Sequence, residues 1–294
     1  MTPKDISDLK KAGKIAHEVR EYTRSVAKKD VLLIELAEKI ESKIIKLGGK
    51  PAFPTNLCIN ETTAHYTPSY DDTTSAFGLL KIDFGVHING WITDCALSLD
   101  LEGDYENTKL IESADNCLKN AVSAIKDKLS LGEIGGVIQK TAERYNLNSI
   151  KNLSGHEINL YDLHAGITIP NYDNNNLKKL DDGIYAIEPF VTQGEGLVYD
   201  GKPSGIYKVE KNTSIRDKNA REIFEFIISE YKTLPFCSRW LVKKFGTRAL
   251  FSINLIEKAG ALHQYSQLIE HSKSKVAQAE TTILINKGNV EVII

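Results

Sequence analysis

The sequence predicts an α+β fold, on three observations. Stretches of helical period and stretches of strand period are mixed, but they do not alternate as regular βαβ units. The clearest strand pair, within residues 80–97, turns at Asn89-Gly90, a two-residue signal for an antiparallel hairpin. The length of 294 residues suits one large domain, or a domain carrying a sizeable insertion.

The elements follow in chain order. Leu9, Ala12, Ala16, Val19 and Val26 recur at helical steps among charged residues, which predicts an amphipathic first helix. Leu33, Leu36, Ala37, Ile40, Ile44 and Leu47 form a second stripe, closed by Gly48-Gly49. Residues 51–76 hold three prolines and many Thr, Ser, Asn and Asp, and are expected to be loop; His65 lies among them. Leu80, Ile82, Phe84 and Val86 then alternate with Lys81, Asp83, Gly85 and His87, and residues 91–97 form the returning strand.

Two further helices are predicted at about residues 107–128 and 132–145. A loop is expected to carry His156 and His164, before a short buried strand over 184–190. The texture changes at 194–271, where helix-like stretches at 217–231, 235–245 and 250–259 predict a helical insertion. Residues 276–286 and 290–294 read as strands joined by a glycine-containing turn. The expected division is therefore 1–193 with 272–294 as the main domain, and 194–271 as an inserted subdomain.

Composition excludes several functional classes. Apolar residues make up 41% and charged residues 26%, enough for a core without disulfides. The net charge of -2 lacks the basic surplus of a nucleic-acid binder. Cys58, Cys95, Cys117 and Cys237 form no Cys-x-x-Cys pair, which argues against a cysteine zinc site and for reduced thiols. The polar first residues contain no secretory h-region, and no apolar run reaches membrane-spanning length. A cytoplasmic protein with no membrane and no nucleic-acid partner is expected.

Geometry singles out two aspartates. With a two-residue turn at Asn89-Gly90, position 86 pairs with 93 and position 85 with 94. Asp94 then lies opposite Gly85, and Asp83 shares the face of Gly85. Asp83 and Asp94 become diagonal neighbours, about 7–8 Å apart at the backbone, and Gly85 presents no side chain between them. Such carboxylates can converge on metal ions. Taken alone, the pattern fits two solvated aspartates on an exposed hairpin face equally well.

Five segments in order carry a resemblance. KIDFGVHINGWITDCALSL and the preceding FPTNLCINETTAHYTP resemble segments of the methionine aminopeptidases, and SGHEINLYDLHAGITIPN, AIEPFVTQGEG and AQAETTILI resemble the remaining site motifs of their type II branch. The resemblance spans essentially the whole chain. It implies the pita-bread fold, a curved antiparallel sheet with helices outside and metals inside. It also implies removal of the initiator methionine from nascent proteins when the second residue is small.

By this resemblance Asp83, Asp94, His156, Glu188 and Glu280 are metal ligands. Asp94 and Glu280 would bridge two ions, Asp83 would hold one, and His156 with Glu188 the other. Four carboxylates against two divalent cations balance in charge, and an oxygen-rich set with one imidazole suits Mn, Fe, Co or Zn. His65 and His164 match the two histidines that face the substrate, His164 at the scissile amide or developing oxyanion. Glu188 doubles as general base, passing a proton from the attacking water to the leaving amine. Phe53 and Leu163 fall where the family places part of the methionine pocket, although either position equally suits ordinary core packing. The expected partners are nascent polypeptide N-termini, free or at the ribosome, and the chain is expected to act as a monomer.

The 91 residues between Glu188 and Glu280 favour type II over type I. No charged N-terminal extension precedes the first helix, which favours the archaeal form over the eukaryotic one. The family usually has an aromatic before the last glutamate and a histidine after it; here Ala279 and Thr281 stand there. By alternation both should point away from the metals. Two rivals share the fold. An X-Pro aminopeptidase or prolidase carries the same five ligands but usually a sizeable N-terminal domain, whereas here two helices and a loop precede Asp83. A non-catalytic ribosome- or RNA-binding relative loses ligands, and all five are present.

Overall fold

The computed structural model describes residues 1–294. The first half contains α1 (Pro3–Val26), α2 (Leu33–Lys46), β1 (Lys50–Pro51), β2 (Asn56–Ile59), β3 (Thr62–Ala64), β4 (Leu79–Ile88) and β5 (Trp91–Asp100). The second contains α3 (Tyr105–Lys126), α4 (Leu131–Arg144), β6 (Asn148–Ser149), β7 (Ser154–Asn159), β8 (Asp162–Pro170), β9 (Gly183–Ile187) and β10 (Phe190–Thr192). There follow β11 (Val198–Val209), α5 (Lys218–Tyr231), β12 (Phe236–Cys237), α6 (Ser238–Phe245), α7 (Arg248–Lys258) and β13 (Leu262–Glu270). The chain closes with β14 (Val276–Gln278), β15 (Thr281–Asn286) and β16 (Asn289–Val292).

Local chemistry explains the helix starts. The Thr2 hydroxyl accepts the Asp5 N–H while the Asp5 carboxylate accepts the Thr2 N–H, a capping box just ahead of Pro3. Ser130 and Glu133 repeat the device on α4, and Asp104 caps α3. No helix is long and apolar enough to cross a membrane.

Each helix pair covers one part of an antiparallel layer. The stripes of α1 and α2 bury against Leu80, Ile82, Phe84 and Val86 of β4 and against Cys95 and Leu97 of β5. Those of α3 and α4 bury against Tyr185, Ile187, Val191, Ala277, Ile283 and Ile285. The β4–β5 hairpin has the expected register, with Gly85 opposite Asp94 and Val86 opposite Thr93. Asn89 and Gly90 both have positive φ, 52° and 90°, as a type I′ turn requires.

Three regions differ from the sequence expectation. Residues 194–271 are framed by two long strands, β11 and β13, paired with each other, so this segment is mixed rather than helical. Register shifts flank Pro203 and break the alternation that would have marked β11. Its three helices still enclose a separate core around Phe224, Phe236 and Ile253. His156 and His164 lie on strands β7 and β8, not in a loop; irregularities in their pairing disrupt the period-two pattern. Within 51–76, β2 and β3 are short strands, and β3 pairs with β13.

The strands predicted over 184–190 and 276–286 are each interrupted. β9 gives way to β10 across Glu188-Pro189, and β14 to β15 across Ala279-Glu280. β9 pairs with β15 in one sheet, and β10 with β14 in another. Glu188 and Glu280 thus sit side by side where two strands pass together from one sheet to the next.

Candidate metal centre and cleft

A cleft of about 330 Å³ opens beside these strands. Its lining includes Asp83, Asp94, His156, Glu188, His65 and His164. β4 and β5 supply the aspartates as diagonal neighbours across the Gly85–Asp94 rung. β7 supplies His156, and the two strand breaks supply the glutamates.

Ligand atoms of Asp94, His156 and Glu280 lie within 4.8 Å of one another, as do those of Asp83, Glu188 and Glu280. Glu280 is common to both groups, as a bridging ligand would be. His156 Nε2 is 3.5 Å from Asp94 Oδ2. Glu188 groups with Asp83 rather than with His156, unlike the division implied by the resemblance. Gln278 lies between these two, its Nε2 donating to Glu188 Oε1 at 3.1 Å and approaching Asp83 Oδ2 at 3.5 Å.

The cluster is short of positive charge. Burial holds the Asp83, Glu188 and Glu280 carboxyls well above the usual carboxylate range, and the neighbouring carboxylates add to the effect. Asp83 Oδ1, Asp94 Oδ1 and both Glu280 carboxylate oxygens are buried without a hydrogen-bond partner. Unpaired buried acceptors are costly, so four in one cluster call for a ligand that supplies positive charge. Hard oxygen donors with one imidazole fit divalent cations of the Mn, Fe, Co or Zn group.

Two further histidines face this cluster. His65 has φ 61°, a left-handed conformation that is uncommon for a residue other than glycine. Its Nδ1 lies 3.2 Å from the Ser266 carbonyl of β13. A carbonyl only accepts, so Nδ1 carries the proton and Nε2 keeps its lone pair. Burial lowers its pKa. The His164 ring stands edge-on to His156 at 4.5 Å. Burial first, then the charges of His156 and His65, hold His164 well below the usual histidine range.

Phe53 and Leu163 line the cleft and are both buried. Gly85 has a role beyond leaving the aspartates clear. A Cβ there would meet the Phe53 ring at 2.5 Å, so the bare backbone is what lets this ring lie against the sheet. Ala279 packs in the core with residues of α3 and α4, and the Thr281 hydroxyl donates to the Ile294 carbonyl; both side chains are directed away from the carboxylates.

Sequence reasoning missed several residues. Gln278 was visible only as a period-two neighbour of Glu280. Tyr265 lines the cleft, edge-on to His65 at 5.3 Å, from a strand that was not predicted. Lys81, on the Asp83 face of β4, is fully buried and donates to the carbonyls of Asn60 at 2.8 Å and Val276 at 2.9 Å. Burial pulls its pKa down to about 8.

Residues 7–225 match metallopeptidase family M24. The chain is 43% identical to a methionine aminopeptidase of Pyrococcus horikoshii, over 98% of this chain and 99% of that protein. Among solved structures, a methionine aminopeptidase from Thermotoga maritima shares the fold with a TM-score of 0.72 at 22% identity, covering 100% of this chain and 97% of that one. A thermophilic Arx1 shares it with a TM-score of 0.84 at 16% identity, covering 100% and 91%.

Proposed function

The chain belongs to metallopeptidase family M24 and, within it, to the methionine aminopeptidases, and from that premise we propose how its cleft releases the initiator methionine. The reading rests above all on the four partnerless carboxylate oxygens gathered with His156 in one cluster. Asp83, Asp94, His156, Glu188 and Glu280 would hold two divalent ions, with Glu280 common to both groups of ligands. Such a pair supplies a hydroxide nucleophile near neutral pH and a clamp for the reacting oxygens.

The protein's own groups then divide the remaining work. Glu188, as its carboxylate, takes a proton from the attacking water and passes it to the leaving amine. His164 is neutral at working pH and acts as a hydrogen-bond donor toward the carbonyl oxygen, on which negative charge develops. His65, protonated on Nδ1, turns an acceptor toward the substrate and is suited to an N–H of the peptide. Phe53 and Leu163 form part of the wall for the methionine side chain. A small second residue fits this arrangement, and a bulky one would clash.

Residues 194–271 are the insertion of the type II branch, with their own core and an edge, β13, that reaches the cleft through Ser266 and Tyr265. The substrates are the N-termini of nascent chains, met by a monomer in the cytoplasm, free or at the ribosome.

The test is release of free methionine from Met-Ala-Ser by metal-stripped protein with and without Mn or Co, beside an X-Pro peptide. Metal-dependent release with the X-Pro peptide intact is expected. X-Pro cleavage alone would place the activity with the prolidases, and no release with any metal would overturn the catalytic reading.

A further inference from the structure

β5 runs beside β14 and β15, yet the contacts between them are not a normal ladder. They fall at steps of two on both sides: Asp94 with Thr282, Ala96 with Glu280, and Ser98 with Gln278. Only the middle one is a direct backbone bond, from Glu280 N to Ala96 O at 3.2 Å. At each end a hydroxyl replaces the backbone partner. Thr282 Oγ1 accepts the Asp94 N–H at 2.7 Å and donates to the Asp94 carbonyl at 2.8 Å. Ser98 Oγ accepts the Gln278 N–H at 2.8 Å and donates to the Gln278 carbonyl at 2.7 Å.

Each hydroxyl uses both its donor and its acceptor on one residue. Tying the N–H and C=O of a single residue restrains its φ and ψ together, and so fixes the direction of its side chain. The residues held are Asp94, in the acidic cluster, and Gln278, whose amide joins Asp83 to Glu188. Thr282 and Ser98 are themselves buried.

We propose that Thr282 and Ser98 are positioning residues for the metal centre, hydroxyl clamps that aim Asp94 and the Gln278 amide from opposite ends of one seam. The proposal rests on the metal-binding reading above. Neither hydroxyl would touch an ion or substrate. Their effect passes through the strand backbone, whose polar groups would otherwise be left buried and unpaired.

The test is Mn binding to metal-stripped protein, measured by calorimetry. Thr282→Val keeps the shape and loses the hydroxyl. Ser98→Ala does the same at the other clamp and carries the test if Thr282→Val does not fold. Each is expected to weaken the tighter Mn affinity by roughly 10- to 100-fold, the usual effect of removing an outer-shell partner. Thr282→Ser, which restores the hydroxyl, is expected to bind close to wild type. Thr281→Val is the control, because it removes a neighbouring buried hydroxyl that serves the Ile294 carbonyl instead. Wild-type affinity in both clamp variants would overturn the proposal, as would equal weakening in Thr281→Val. Failure of the wild-type protein to bind Mn would be a different result, overturning the metal reading itself and this proposal with it.

Discussion

Arg239 of α6 and Glu41 of α2 form a buried bidentate ion pair, with N–O distances of 2.8 and 2.9 Å. Trp240 Nε1 and the Thr55 N–H also donate to this carboxylate, and Arg239 Nε donates to the Pro68 carbonyl. One cluster therefore joins the inserted segment, the second helix and both ends of the stretch that carries His65. Arg239→Met leaves Glu41 buried without its countercharge, and is expected to cost about 3–5 kcal/mol in a denaturant titration. Glu41→Leu with Arg239→Met should recover much of that loss, because a well-packed apolar pair can replace a buried ion pair. The KM for Met-Ala-Ser should stay raised in the double variant, since the Thr55 and Pro68 anchors are still missing. A KM that recovers together with stability would show that the cluster serves folding alone.

Gly85 and Phe53 give a second expectation. An added methyl at 85 overlaps the Phe53 ring, so Gly85→Ala should cost about 1–3 kcal/mol, as overpacking does. It should also raise KM for methionine peptides more than it lowers kcat. Phe53→Leu in the Gly85→Ala background should relieve part of the stability loss. Thermal midpoints and steady-state kinetics on the two single variants and the double variant check this, and strict additivity would show that the residues do not meet.

What the sequence made legible was local. Asn89-Gly90 specified the β4–β5 register, and with it the placing of Asp83 diagonal to Asp94. The helix stripes of α1 to α4 were visible because each is long and one-sided. The strands β11 and β13 were not, because register shifts around Pro203 erase the alternation. The environment of the site was harder still. Thr282 and Ser98 find their partners 188 and 180 positions away, and a lone hydroxyl on a buried strand carries no pattern of its own. Glu188 and Glu280 were found by motif, but their position at the shared break between two sheets follows from tertiary pairing alone.

His87 provides a test in acid. Burial, then the charges of Lys50 and Lys232, lower its pKa from 6.5 to about 4, and its Nδ1 accepts the Gly90 N–H at the hairpin turn. A histidine with a lowered folded pKa takes up its proton more readily when unfolded. Its contribution is therefore complete above pH 6.5 and is lost as pH falls toward 4, by roughly 3 kcal/mol if the full shift is realised. His87→Gln should flatten the acid limb of stability over that window and leave the profile above pH 7 parallel to wild type. An unchanged acid limb in equilibrium unfolding from pH 7 to pH 4 would assign the loss to other groups.

The acidic cluster predicts the opposite slope once metal is removed. Asp83, Glu188 and Glu280 have folded pKa values raised above their ordinary 3.8 and 4.5, chiefly by burial. For an acid raised in the folded state, the unfolded chain loses its proton first. Stability is therefore greatest below about pH 4 and declines as pH rises toward the folded values. Chelated protein should lose thermal stability between pH 5 and pH 8 on this account. Added Mn or Co should abolish the decline, because the cations neutralise the carboxylates and bind only the folded chain. Asp83→Asn separates the two effects. In chelator at pH 8 it should melt higher than wild type, since one buried charge is gone, while methionine release falls by at least about 100-fold, as a loss of roughly 2.7 kcal/mol or more in transition-state stabilisation would produce. Stability of the charged site is thus given up for function. Equal melting of the two chelated proteins across this pH range would mean that the cluster is already neutralised within the fold.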